Sequence, residues 1–351
     1  MDALLPESPP EPRSRFTAAF VLVLLAGLAT TAAVALLVDP VHTFGTGRVR
    51  PMLTGERDDK PAAFLARQPS PQAIVLGSSR VLKLRPACIT ELTGLPAYNF
   101  GVTDAQVEDM DAILAFIRDR GAAPLREIVI GLDVDVFDDR IEVDQRLISS
   151  PALGRYVAGA GLSFDTATRA LFGYQDFKYG LQLVHYELRG SRPRDAIHFE
   201  PDGVIYYEGD EEQIAAGTFS LHDHIAANIA RRDRKFLAAG FAKLSPARLA
   251  LFRDVVTRAH AAGARVDVFV PPLHRAIAEL RSGGPVPARL GDLDRFLHEL
   301  DANGLIHYLP MNAIEDIGGD PDGYYDGNHL TETNSSRVLL AMFHRPHGCG
   351  L

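Results

Sequence analysis

The chain has 351 residues, of which 46% are hydrophobic and 23% charged, enough apolar material for a substantial core and a composition that excludes global disorder. A formal net charge of −9 excludes a nucleic-acid binder, because release of phosphate counterions needs a basic face. The two cysteines, Cys88 and Cys349, form neither a disulfide framework nor a metal-ligand cluster. An oxidising compartment would let them pair, although the short polar tail around Cys349 argues against a bridge.

Residues 1–15 are rich in Pro and Glu and read as a disordered cytoplasmic tail. From Phe16 to Val38 the chain carries no charge, and as a helix this stretch crosses ~30 Å of hydrocarbon. Arg13 and Arg15 precede it and Asp39-Pro40 ends it. The positive-inside rule then leaves the N-terminus in the cytoplasm and everything after residue 40 outside. This is the topology of a single-pass protein of the cytoplasmic (inner) membrane with a periplasmic domain. "AVA" at 33–35 also fits a signal-peptidase site, which makes a cleaved signal peptide the alternative; the uninterrupted length favours an anchor. Residues 39–71, with their Pro, Gly and Arg, read as a tether.

A domain over residues 72–345 follows, in which strands and helices alternate. "QAIVLG" (72–77) is continuously apolar, as expected of a strand buried on both faces. "DAQVEDMDAILAFIRDRG" (104–121) sets Val107, Met110, Ile113, Leu114 and Ile117 at helical spacing, with Asp104 as N-cap and Gly121 as stop. "REIVIGLD" (126–133) is the next buried strand. Residues 139–244 break the rhythm and read as a large mixed insertion, with a hairpin at 196–210 turning through Pro201-Asp202-Gly203. The charge run "RRDRK" (231–235) reads as a solvated face. A helix over 245–263 opens with Ser245 as N-cap and Pro246 in its first turn. It leads to a strand "RVDVFVPP" (265–272), a helix over 289–304, a short strand "LIHYLP" (305–310) and a last helix from Thr331 to about Phe343. Such alternation implies an α/β fold with a parallel sheet and helices on both faces.

Ligands of open parallel sheets bind at the carboxyl ends of the strands, which is where Gly77-Ser78-Ser79 lies. Far downstream, "YYDGNHLTE" (324–332) holds Asp326 and His329 just before the last helix. A tight turn through Gly327-Asn328 lets the carboxylate take a hydrogen bond from one ring nitrogen of His329 and leaves the other free as a general base. Alone, each feature also fits an ordinary turn. With the serine first and Asp-x-x-His last, the sequence resembles the SGNH (GDSL-type) hydrolase superfamily.

The resemblance implies a flavodoxin-like three-layer α/β/α fold, with Ser79 as nucleophile and Asp326 and His329 completing a triad. "AYNFGVTDAQ" (97–106) fits the family's second block, whose glycine, here Gly101, lends an N–H to the oxyanion hole. Two positions depart from the pattern. Ser78 stands where the family has an aspartate, and "GLDVDVFDD" (131–139) lacks the third-block asparagine, leaving Asp133, which when ionised cannot donate to an oxyanion. Asn99 is a substitute donor for that role. The anchor ending in "VDP", then "VLGSSR", the insertion, "VDVFVPPLH" and "YYDGNHLT" are similar to a membrane-anchored branch found with envelope-polysaccharide modification proteins. For this chain that implies a serine esterase or O-acyl(acetyl)transferase acting on an acylated envelope glycan, with a membrane acyl-donor protein as partner if it transfers. The alternative is a non-catalytic glycan-binding or polysaccharide-assembly protein that keeps the fold.

Other polar groups are weighed on the residues alone. Arg80 could hold an anionic sugar or phosphate, or pair with a nearby carboxylate. His222, Asp223 and His224 stand in a row, but neighbours at i and i+2 do not share a helix face, and no metal is expected. His274 could line the pocket or cap a helix. Tyr206 and Tyr207 could stack on sugar rings or pack in the core. No cofactor is expected, since no glycine loop that cradles phosphates is present.

Overall fold

The computed structural model describes residues 12–40, 43–46, 56–121, 123–157, 164–190, 197–236 and 241–351. Residues 1–11 of the expected tail, residues 47–55 of the expected tether and the side chains of 231–235 lie outside the described residues. In chain order the elements begin with helix α1 (Pro12–Val38), α2 (Glu56–Ala66), strand β1 (Ala73–Gly77), α3 (Pro86–Thr93), β2 (Ala97–Asn99), α4 (Val107–Arg120) and β3 (Glu127–Gly131). There follow α5 (Gln145–Ile148), α6 (Phe164–Phe172), α7 (Tyr174–Arg189), the hairpin β4 (Ile197–Phe199) and β5 (Ile205–Tyr207), α8 (Glu208–Ala215) and α9 (Leu221–Phe236). Alternation then resumes with α10 (Pro246–Ala261), β6 (Arg265–Phe269), α11 (Arg275–Ser282), α12 (Val286–Ala302), β7 (His307–Leu309) and α13 (Glu332–Met342).

The chain divides into two compact units, residues 1–53 with 161–192 and residues 54–160 with 193–351. The expected insertion is thereby split, since α6 and α7 belong to the first unit. In that unit the span Arg15–Val38 is long and apolar enough to cross a membrane. Asp39 ends it, with φ at 46° and its carboxylate accepting the N–H groups of Phe44 and Thr46. Helices α6 and α7 pack on α1 and on each other.

The second unit is built on a five-stranded parallel sheet in the order β2-β1-β3-β6-β7. Side chains of a strand alternate between faces, and both faces here are covered. Ile74, Leu76, Ile128 and Ile130 join a cluster with residues of α4, α10 and α12. Ala73, Val75 and Val129 join another with residues of α3 and α13. That two-sided burial is the reason these strands read as unbroken apolar runs.

Four features differ from expectation. The tether gives way to helix α2, whose Glu56, Arg57, Lys60 and Phe64 are buried. Its charges are matched inside the fold, with Arg57 Nε on Asp109 at 2.7 Å and Thr103 Oγ on Glu56 at 2.7 Å, so the segment looks polar in sequence yet packs. Strand β2, only three residues long, is too short to show a period. Helix α4 is capped by Gln106, whose N–H donates to Asp109 at 2.8 Å, while Asp104 takes a left-handed φ of 55°. Finally, Cys88 and Cys349 are bridged. The tail that argued against a bridge is held beside α3, its Cys349 N–H donating to the Glu91 carboxylate at 3.0 Å and its carbonyl accepting from Arg85.

Candidate active site

The first βα turn is shaped by what it lacks. After β1 the chain enters a 3-10 turn, Ser79–Val81, with Ser78 as its N-cap. Val81 plugs into a gap left by three glycines. A Cβ on Gly77, Gly101 or Gly131 would lie 2.9, 2.7 or 2.1 Å from a Val81 methyl, far inside van der Waals contact. Gly77 also has φ at +142°, which only glycine adopts without strain. Gly77 and Gly131 are neighbours in register on β1 and β3, so the turn sits where the strand order reverses, the usual place for a ligand crevice.

The second half of the site is the turn Tyr324–Leu330, closed by an antiparallel bridge between those two residues. Three of its carbonyls are tied to other parts of the chain and a fourth closes the turn on itself. Asn228 of α9 donates to Asp326 O at 2.8 Å, the His274 N–H to Gly327 O at 2.9 Å, Arg80 Nε to Asn328 O at 3.4 Å and the Tyr325 N–H to His329 O at 2.8 Å. Gly327 has φ at +82°, and a Cβ there would stand 2.8 Å from Ile277. The turn is thus preset before any ligand arrives.

Between the two halves runs a continuous hydrogen-bond line. His329 Nε2 lies 2.8 Å from Ser79 Oγ, and its Nδ1 lies 3.0 Å from Asp326 Oδ1. The same Asp326 oxygen accepts the N–H groups of Asn328 and His329, each at 3.0 Å. Burial works against the charge of Asp326, but the charge of His329 and these hydrogen bonds hold it well below the usual carboxylate range. An ionised Asp326 fixes Nδ1 as the protonated ring nitrogen and leaves Nε2 as acceptor for the Ser79 hydroxyl. The His329 and Asp326 side chains keep 18% and 16% of their surface exposed, so this line opens to solvent.

No protein-family model matches the sequence, and no curated protein matches it. The residue roles therefore rest on geometry.

Two expectations about oxyanion donors are corrected by that geometry. The Gly101 N–H donates to Asn99 Oδ1 at 2.9 Å, within its own loop. Asn99 is fully buried, and its amide donates to the carbonyls of Val81 and Leu84 at 2.8 and 2.9 Å. Both groups are engaged within the loops they build. The Ser79 N–H opens the 3-10 turn, where the first N–H groups find no partner within the turn. Arg80 is a brace. Its guanidinium pairs with Asp133 and donates to the Pro271 carbonyl, and Asp133 also accepts from the Ser78 hydroxyl. These contacts join the carboxyl ends of β1, β3 and β6 and set a cation against the Asp133 carboxylate.

The remaining candidates are placed as follows. His274 caps α11, its Nδ1 accepting from the Ala276 N–H at 3.2 Å. His222, Asp223 and His224 lie in the first turn of α9, and the His224 ring packs on Phe219 at 4.7 Å. Among the described residues no three His, Cys, Asp or Glu converge to hold a metal. Tyr206 stacks on His198 at 4.8 Å, whereas Tyr207 reaches the site, 6.2 Å from the His329 ring and 5.0 Å from Tyr325.

Four residues near the site gave no signal in the sequence. Lys83 pairs with Glu211 at 2.5 Å, and Glu211 also accepts from the Tyr325 hydroxyl at 2.6 Å, tying the His329 turn to α8. Asn228 holds the Asp326 carbonyl. Lys60 is buried, pushed down to about 7 by loss of solvent, and donates to the carbonyls of Asn99, Gly101 and Gly203 at 3.1, 2.7 and 2.8 Å. Each acts on a partner far away in sequence, which no local pattern encodes.

Proposed function

We propose that the chain is a serine esterase or O-acyl(acetyl)transferase of the SGNH type, anchored in the cytoplasmic membrane and acting on an acylated envelope glycan outside it. The observation that carries the reading is the Ser79–His329–Asp326 line, with Nε2 at 2.8 Å from the serine oxygen. The sheet order supports the fold part. With the hairpin strands set aside, β2-β1-β3-β6-β7 becomes the 2-1-3-4-5 order of flavodoxin-like proteins. The Cys88–Cys349 bridge supports the compartment, since disulfides persist where thiols are oxidised.

In this mechanism His329 Nε2 takes the Ser79 proton as Oγ bonds to the ester carbonyl carbon. The oxyanion that forms is met by the Ser79 N–H at the head of the 3-10 turn. The C–O bond to the leaving alcohol then breaks, the imidazolium returns its proton to that oxygen, and an acyl-serine remains. Water or a sugar hydroxyl, deprotonated by His329, releases the acyl group and restores Ser79. Asp326 stays ionised throughout and stabilises the imidazolium.

The non-catalytic glycan-binding reading draws on a specific observation, namely that the Gly101 N–H and the Asn99 amide are both consumed inside the protein. A fluorophosphonate separates the two. Labelling of the folded chain that disappears in Ser79→Ala supports the enzyme; folded protein that takes no label supports the binder. Release of acetate from acetylated esters, with and without acceptor sugar, then divides hydrolysis from transfer.

A further inference from the structure

Helices α6 and α7 carry an apolar surface that is out of place on a water-facing protein. Phe164, Leu188 and Tyr174 are 88%, 83% and 75% exposed, with Phe172 and Leu181 also exposed. Tyr174, Leu181 and Leu188 recur every seventh residue along α7, which stacks them in one stripe. Lys178 and His185 lie within the same stripe, and with Phe177 and Tyr186 they line a shallow groove. Contiguous exposed apolar area of this kind marks a surface that something covers.

The place of α7 on α1 indicates what covers it. Gly180, at the middle of α7, lies against α1 so closely that a Cβ would stand 2.4 Å from Val34 and 4.0 Å from Pro40. Val34 precedes the end of α1 at Val38 by four residues, or about 6 Å along the axis. The span Arg15–Val38 has 24 residues, about 36 Å of helix against a hydrocarbon core of ~30 Å. The crossing point therefore falls where acyl chains give way to headgroups. Gly180 and the buried Leu183 lie on one side of α7 and the Tyr174–Leu181–Leu188 stripe on the other, so the stripe points away from α1 at that depth. Lipid is what surrounds a spanning helix there. Aromatic rings, leucines and a lysine long enough to reach the headgroups suit that boundary.

We propose that the α6–α7 hairpin is a second membrane contact, seated in the lipid interface at the C-terminal end of α1. The proposal rests on α1 crossing a bilayer and is independent of the chemistry assigned to Ser79.

The sequence has no tryptophan, so single substitutions make clean reporters in the full chain. Leu188→Trp, Leu181→Trp and, in mid-span, Leu25→Trp are each placed in phosphatidylcholine nanodiscs with or without brominated lipid. The expected result is blue-shifted emission for Leu188→Trp and Leu181→Trp, quenched most by lipid brominated near the headgroup. Leu25→Trp is quenched most by deeper bromines. Water-like, unquenched emission from the α7 reporters beside a quenched Leu25→Trp overturns the proposal. Blue-shifted emission that no brominated lipid quenches also overturns it, because protein then covers the stripe. An unquenched Leu25→Trp overturns the anchor itself, a failure distinct from that of the hairpin.

Discussion

One oxygen of Asp326 accepts from three donors, the N–H groups of Asn328 and His329 and the His329 ring. Because its pKa is held below the ordinary carboxylate range, it stays charged at every pH where an imidazole titrates. Its contribution is present above the ordinary carboxylate pKa and is lost as pH falls through the lower folded value. Asp326→Asn keeps the shape but no longer favours a protonated Nδ1. On the proposed function we expect it to reduce turnover by about 10⁴-fold in the manner of other triads, and to lower the melting temperature at neutral pH, where the carboxylate's contribution is fully present, more than at a pH below the folded value. Steady-state rates and thermal melts on the same preparations check both. The Ser79–His329–Asp326 line was readable from two short stretches because one tight turn presents Ser79 and another presents both Asp326 and His329. The engagement of Gly101 was not, since what its N–H meets depends on the Asn99 side chain beside it.

At the scale of elements, the first residue of β3 carries a pH signal. Glu127 is buried next to Asp267 on β6, and Arg265 forks onto Asp267 at 2.9–3.2 Å. Burial, a hydrogen bond with Asp267 and the charge of Asp267 push Glu127 up to about 9. A carboxyl raised on folding contributes stability that is complete below its ordinary pKa and is lost as pH rises through the folded value. Urea titrations of the wild type should therefore show stability declining between about pH 4.5 and pH 9, while Glu127→Gln, which mimics the protonated acid, flattens that decline. An unchanged slope in the variant would remove the assignment. Strands β1, β3 and β6 were legible because burial on both faces makes them continuously apolar. Helix α2 was not, because a helix that buries Glu56, Arg57 and Lys60 with partners distant in sequence has the composition of a solvated linker.

Across the whole molecule, the inserted segment serves two units. Its hairpin, α8 and α9 bring Tyr207, Glu211 and Asn228 to the His329 turn, whereas α6 and α7 go to the apolar N-terminal helix. Sequence rhythm could mark where alternation stopped but not that the interruption divides, because membership of a unit is decided by packing partners. The same holds for Cys349, whose neighbours in space, Glu91 and Arg85, lie at the other end of the domain's sequence.

The Cys88–Cys349 bridge closes a covalent ring over a sequence separation of 261 residues, and that ring contains the whole insertion. A protease that cuts once anywhere between Cys88 and Cys349 opens a ring and frees nothing. On a non-reducing gel the nicked chain should run as one species, and only with a thiol present should it part into two fragments. If the nick falls in the inserted segment, one fragment carries Ser79 and the other Asp326 and His329, so reduction then measures whether packing alone holds the triad together.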